Sequence, residues 1–264
     1  MIRTLGLMMA ICLALIEPAA AENAAEKGLR IAQEAKRQDE GFHSYTAVGN
    51  MILRDRHGRE SPRDFNVKAL EVKDDGDKSL IVFDHPNDIR NTALLTFSHK
   101  TGNDDQWLYL PAVRRIKRIT SDNKSGSFVG SEFAYEDLIS TEVEKFTYKW
   151  LRDEACPDAE ELICYVNERY PVDDSSGYSR EVVWIDHEAY RLVKVNYFDR
   201  KDALLKTLTS RDYKQYRQKY WRPSQMLMLN HQTGKSTVMI WRDYDFTVDL
   251  TESDLSKRAL KRLR

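Results

Sequence analysis

Apolar positions along this chain follow two periods, and the shorter one dominates. Between Ala24 and Arg37, Leu29, Ile31, Ala32 and Ala35 recur at helical spacing with charges between them, which predicts an amphipathic helix. From Ser44 onward the period falls to two. Phe65, Val67 and Ala69 alternate with polar neighbours in the manner of a half-buried strand. Met51-Ile52-Leu53 runs into Asp55-Arg56-His57-Gly58, a hairpin signal, and Asp74-Asp75-Gly76-Asp77 marks another turn. Strands are predicted over Ser79 to Phe83, Thr92 to Ser98 and Gln106 to Leu110, the last ended by Pro111. They resume at Glu142 to Trp150, Ile163 to Arg169, Ser179 to Asp186, Tyr190 to Phe198, Leu204 to Tyr213, Trp221 to Asn230 and Ser236 to Val248. Asp186-His187-Glu188 and Gln232-Thr233-Gly234 carry the turn chemistry between them. Asp254 to Leu263 reads as a short closing helix.

One stretch breaks the pattern. Ser121 to Asp137 is rich in Ser, Gly and acidic residues, with Phe128, Phe133 and Tyr135 set among them. It predicts a long loop with one short helical turn near Tyr135 to Leu138. The order of elements makes the fold mainly β with flanking helices: a long antiparallel meander. A sheet of that many strands curls. It must bury one face, and few helices are available to cover it. A curled sheet under partial cover commonly leaves an apolar cavity, the kind of site that small molecules occupy.

Composition narrows the class. The N-terminal segment has a charged start at Arg3, an apolar run from Leu5 to Ile16 and small residues at Ala19-Ala20-Ala21. It reads as a signal peptide over residues 1–21, interrupted by Glu17-Pro18 and well short of the ~20 apolar residues of a spanning helix. Residues 22–264 are then expected to form a single exported domain, because no Gly/Ser/Pro-rich linker divides them. The net charge of −1 argues against a nucleic-acid partner, which needs an excess of cations to neutralise phosphates. In an oxidising compartment Cys156 and Cys164 should pair across the polar segment between them. No metal and no cofactor are expected. The six histidines are scattered without a His-Glu-x-x-His pair. No Gly-x-Ser-x-Gly elbow and no phosphate-cradling glycine loop is present, so no catalytic residues are assigned and an enzyme is not expected.

Three blocks of residues carry a family likeness. The first is Trp107-Leu108-Tyr109-Leu110-Pro111 with Arg114-Arg115-Ile116. The second runs from Gly126 to Leu138. The third comprises Trp221-Arg222-Pro223, Met226, Met228, Thr237 and Asp243-Tyr244-Asp245-Phe246. Together, and in this order, they resemble the outer-membrane lipoprotein-sorting-like family, relatives of the periplasmic carrier LolA. The resemblance implies a half-open, strongly curved antiparallel sheet whose concave side is covered by helices, around a cavity that takes acyl chains. It implies a periplasmic, non-enzymatic carrier of lipid or lipid-modified cargo. A lipid acyl chain or lipoprotein would be the ligand. An inner-membrane exporter of the RND type and an outer-membrane acceptor would be partners, and the chain itself a monomer. The alternative is a periplasmic lipid-sensing or regulatory binding module. A carrier moves labelled lipid between vesicles, whereas a sensor holds a signalling partner in a ligand-dependent way.

Candidate cavity residues follow from strand parity. Trp107 and Tyr109 share one sheet face, as do Met226 and Met228, and Met239 and Trp241. Met adapts its shape to irregular apolar partners, so these residues read either as a deformable lining or as ordinary core. Phe128, Phe133, Tyr135 and Leu138 need an apolar surface to rest on: a lid over the cavity, or a loop stapled to the sheet. On the lid reading, deleting Ser125 to Phe133 changes lipid affinity more than thermal stability. Arg114, Arg115, Lys117 and Arg118 form a basic run, either meeting anionic headgroups or guarding a sheet edge. The basic tail from Lys257 to Arg264 either complements a helix C-terminus or docks on a membrane.

Overall fold

The computed structural model describes residues 22–263, so the expected signal peptide, with its Cys12, and Arg264 lie outside the described residues. Helix α1 spans Ala24–Asp39 and starts at a reciprocal cap. Asn23 Oδ1 accepts from the amides of Ala25 (3.0 Å) and Glu26 (2.9 Å), and Glu26 accepts from the Asn23 amide (3.2 Å). Six strands follow: β1 Ser44–Arg54, β2 Glu60–Leu70, β3 Lys78–His85, β4 Ala93–Phe97, β5 Asp105–Leu110 and β6 Arg115–Ile119. After the irregular segment 120–145 come β7 Phe146–Cys156, β8 Ala159–Pro171, β9 Tyr178–Asp186, β10 Leu192–Asp199, β11 Leu204–Tyr216, β12 Tyr220–Asn230 and β13 Ser236–Asp245. A short helix α2, Lys257–Arg262, closes the chain.

All thirteen strands form one antiparallel sheet in the order β6-β5-β4-β3-β2-β1-β13-β12-β11-β10-β9-β8-β7. Two meanders therefore meet at the β1–β13 seam, with Met51 opposite Met239. The free edges are β6 and β7, and segment 120–145 carries the chain from one edge to the other. The sheet is strongly curved. Ile81 on β3 and Ile185 on β9 stand seven strands apart, about 34 Å across a flat sheet, yet both line one hollow. This is the half-open barrel expected of so long a meander.

Each face of the sheet carries a packed apolar cluster. On the inner face a large core runs through Met51, Phe65, Phe83, Val195, Leu208, Met228 and Met239 to Ile31 of α1. Gly49 makes room there. A Cβ at this position would sit 2.2 Å from the Phe65 ring, which instead lies across β1 to meet Trp241 at 5.2 Å. On the other face α2 and the preceding segment bring Leu255 and Leu260 onto Leu80, Leu95, Trp107 and Tyr109. α1 lies against β7, where Gly28 permits close approach: an added Cβ would be 2.7 Å from the Trp150 amide nitrogen. The Cys156–Cys164 disulfide clips the β7–β8 hairpin, the pairing expected from the sequence. Among the described residues, no helix is long and apolar enough to cross a membrane.

Strand ends differ from the sequence expectation in one informative place. Glu142 to Lys145 was expected to be strand but forms part of the crossing segment, with a 3₁₀ turn at Val143–Lys145. The buried Glu142 is held there by ion pairing to α1 rather than by a ladder. The basic run lies on β6, an edge strand, with Arg114 in the left-handed turn before it (φ 48°).

Candidate functional site

A hollow of about 510 Å³ lies between α1 and the inner face of the sheet. Its existence follows from residue size. α1 turns Ala32 and Ala35, three positions apart and so on one helical face, toward it. Two alanines cannot fill the span between a helix and a curved sheet. The floor is apolar: Val67 and Ile81 from β2 and β3, Val183 and Ile185 from β9, Met226, Met239 and Trp241 from β12 and β13. Ile139 and Val143 of the crossing segment form part of the wall.

That segment crosses the sheet as a strap bonded to both halves. Its Phe128 is fully buried and packs on Phe83 at 5.6 Å, and Phe133 is 2 % exposed. Asp137 carries the main anchor. Its carboxylate accepts from the Lys206 ammonium at 2.5 Å, from the Tyr178 hydroxyl at 2.6 Å and from the Ala134 amide at 2.6 Å. Glu136 accepts from the Ser176 hydroxyl and the Gly177 amide, and Glu132 accepts from the Asn230 side chain. On the opposite half the Arg63 guanidinium donates to the Val129 carbonyl, and the Gln106 side chain donates to the Tyr135 carbonyl. Residues 125–133 thus contribute two side chains, Phe128 and Phe133, to the core. Deleting them removes Phe128 and its packing along with any cover over the hollow, so that deletion does not separate the lid from the staple.

The structure gathers only some of the candidate residues around the hollow. Phe133, Leu138, Met226, Met239 and Trp241 line it. Met228 is fully buried in the core beneath, and Phe128 and Tyr135 pack on each other at 5.9 Å without lining it. Trp107 and Tyr109 are turned the other way. They lie on the opposite face, where the Lys257 ammonium sits 4.0 Å over the Trp107 ring and the Tyr109 hydroxyl donates to the Leu263 carbonyl at 3.4 Å. Strand parity states that two residues share a face, not which face. The orientation here is decided by α2, whose Leu260 needs an apolar surface.

The lining also holds polar groups that apolar patterning missed: Lys36, Asp39, Asp77, Arg169, Arg191 and Arg222. Most are paired. Lys36 reaches Glu142 at 2.8 Å, Arg169 reaches the buried Glu181 at 2.6 Å, and Arg191 reaches the buried Asp186 at 2.7 Å. Burial works to lower the Lys36 pKa, but Glu142 and Asp77 outweigh it and hold the ammonium above its ordinary value. Asp77 is the exception to tight pairing. Burial pushes its carboxyl up to about 6, with Lys36 and the Ser140 hydroxyl opposing, and Glu142 and Glu71 adding to the rise. The signal that could have found these residues is a charge in the middle of a hydrophobic register, as at Arg222 between Tyr220 and the Met226 strand.

The raised Asp77 pKa has a defined consequence. Between about pH 4 and pH 6 the folded protein holds a proton that the unfolded chain has lost, so this group favours folding as pH falls through that window and opposes it above. Asp77→Asn is therefore expected to stabilise the protein at pH 7.5 by about 1–3 kcal/mol and to leave it unchanged at pH 4. Thermal melts of both proteins at the two pH values check this. A variant less stable at pH 7.5 would show that the Lys36 contact dominates. The comparison must be between variants, because Asp55, Asp75 and Asp173, held down to about 2, drive overall stability the other way in acid.

Among the described residues, no group of three or more His, Cys, Asp or Glu side chains is placed to hold a metal ion. A family model described as "Uncharacterized protein" matches residues 75–262. No curated protein matches the chain. Among solved structures, a domain from Vibrio parahaemolyticus described as an outer membrane lipoprotein-sorting protein domain is 52% identical, with a TM-score of 0.87, covering 90% of this chain and 100% of its own. A DUF1329 family protein from Desulfovibrio piger is 27% identical, with a TM-score of 0.84, over 90% of this chain and 99% of its own. A LolA superfamily protein from Nitrosomonas europaea shares the fold at 19% identity and a TM-score of 0.68, over 88% of this chain and 98% of its own.

Proposed function

The chain belongs to the outer-membrane lipoprotein-sorting-like family, and from that premise we propose that it is a periplasmic, non-enzymatic carrier of lipid or lipid-modified cargo. The observation that carries this reading is the open apolar hollow of about 510 Å³ under α1. Its size falls in the range of sites that bury small ligands. The walls are apolar enough to replace the environment an acyl chain leaves behind. That replacement is the whole of the mechanism. Exposing a chain of about sixteen carbons to water costs on the order of 12 kcal/mol at ~0.8 kcal/mol per methylene. Protein contact substitutes for that exposure while the cargo crosses an aqueous gap.

No step of this kind needs a nucleophile or an energy source within the carrier. Direction comes from a receiver of equal or better affinity, so a donor at the inner membrane and an acceptor at the outer membrane belong to the proposal. An RND-type exporter is the donor class we favour, with the carrier acting as a monomer and delivered by a cleaved signal peptide. The test is direct. The mature protein, purified from the periplasm and sprayed under native conditions, should carry lipid mass. Added to donor vesicles holding labelled lipid, it should accelerate transfer to acceptor vesicles in proportion to its concentration. Bound lipid without transfer would instead mark a sensing module, and no bound lipid would end the proposal.

A further inference from the structure

One end of the hollow is chemically unlike the rest. Beneath the C-terminus of α1, Phe42, Tyr45, Tyr244 and Phe246 form an aromatic cluster around the Arg222 guanidinium, which lies 5.7 Å from the Phe42 ring, 5.4 Å from Tyr45 and 5.5 Å from Phe246. The Arg222 side chain is 11% exposed, whereas that of its ion-pair partner Asp39 is 51% exposed. The two partners are therefore unequal. Asp39 can swing into water at little cost, while Arg222 would be left buried and charged, which demands another anion. Asp39 is also the last residue of α1, where the exposed carbonyls disfavour a carboxylate. The Arg222 guanidinium offsets this, with Lys36 adding to it.

A second, independent feature lies one ring away. Trp241 lines the hollow, and its Nε1 is buried without a hydrogen-bond partner. An indole N–H is a donor only, so it calls for an acceptor oxygen. Tyr244 stands between the two features, 6.3 Å from Trp241 and 5.6 Å from Tyr45. Lys219 also lines this end and donates to the Glu40 carbonyl, while the adjacent Glu71 is occupied by the amides of Gly41 and His43.

Resting on the carrier reading, we infer that this end is a headgroup site for an anionic amphiphile, whose phosphate takes the place of Asp39 on Arg222 and whose ester oxygen accepts from Trp241. The acyl chains then run over Met226 and Met239. Displacing Asp39 also breaks the ion pair between α1 and β12, so loading removes one of the ties that hold the C-terminal end of the helix.

The test uses the mature full chain and three probes: dioctanoyl phosphatidylglycerol, dioctanoylglycerol and inorganic phosphate. The phosphoglyceride should bind about ten-fold tighter than the neutral diglyceride, because a charge-assisted contact is added. Arg222→Gln should abolish that difference, whereas Arg222→Lys, which keeps a cation at this position, should retain part of it. Asp39→Asn, which keeps the guanidinium and removes its competitor, should tighten the phosphoglyceride alone. Trp241→Phe should weaken both glycerides equally. Equal binding of the two glycerides by the wild type, or a preference that survives Arg222→Gln, overturns the assignment. Inorganic phosphate competing as well as the phosphoglyceride would mark a free-anion site and also overturn it. Failure of both glycerides to bind removes the carrier reading itself, whereas binding without preference removes only the headgroup site.

Discussion

Lys206→Met is expected to cost about 3–5 kcal/mol of stability, the usual penalty for stripping one partner from a buried ion pair. The Lys206 side chain is 4% exposed and that of Asp137 is 2% exposed. The ammonium also donates to the Glu132 carbonyl at 3.2 Å and lies 5.1 Å from the Tyr178 ring and 5.2 Å from the Tyr197 ring. Methionine matches the stem but removes the charge. Asp137 would then remain buried beside Glu136, with only the Tyr178 hydroxyl and the Ala134 amide to stabilise it. For a domain of this size the loss corresponds to a fall of roughly 6–20 °C in melting temperature. Asp137→Asn keeps the shape and should cost less. A cycle of the two single variants and the double variant should give a coupling of about 1–3 kcal/mol. A fall under about 3 °C for Lys206→Met would mean that water reaches the pair, and that the strap is not anchored as described.

Filling the hollow should abolish lipid binding without unfolding the protein. Ala35→Trp places an indole into space that α1 leaves empty, and Ala32→Phe beside it fills more of the same hollow. Where a void is filled rather than a core overpacked, stability holds or rises slightly. The melting temperature of Ala35→Trp should stay within about 4 °C of wild type, while lipid bound and lipid transferred fall at least about ten-fold. The contrast between the two readouts is the point. Undiminished transfer by a well-folded Ala35→Trp/Ala32→Phe double variant would mean that cargo travels elsewhere on the surface. A large loss of stability would mean that the hollow closes in solution.

Much of the fold was legible in local pattern. Period-two alternation located twelve of the strands in outline, because a residue pair two apart shares a face whatever the strand later pairs with. Turn chemistry at Asp55-Arg56-His57-Gly58 and Gln232-Thr233-Gly234 marked hairpins, because those residues tolerate the required backbone. The Cys156–Cys164 bridge was legible for a similar reason: the two cysteines flank a single turn. The site was less legible. Met226, Met239 and Trp241 stood out as large apolar residues at sheet spacing, and they do line the hollow. Trp107 and Tyr109 stood out equally and point away from it. Arg222 stood out only within a family block and Asp77 only within a turn, and Asp39 not at all, because a charge inside a strand or at a helix end reads as a solvated face until its neighbours are known.

The sequence by itself determined twelve of the thirteen strands in outline, the antiparallel meander and the family, since all three are recorded in short-range spacing and residue type. Only the tertiary structure decided that β1 closes on β13, that segment 120–145 runs between the free edges as a buried strap, and that two alanines of α1 leave a space behind them. Those features depend on contacts between residues far apart in the chain. An empty volume is a property of what surrounds it, and no single stretch of residues encodes it.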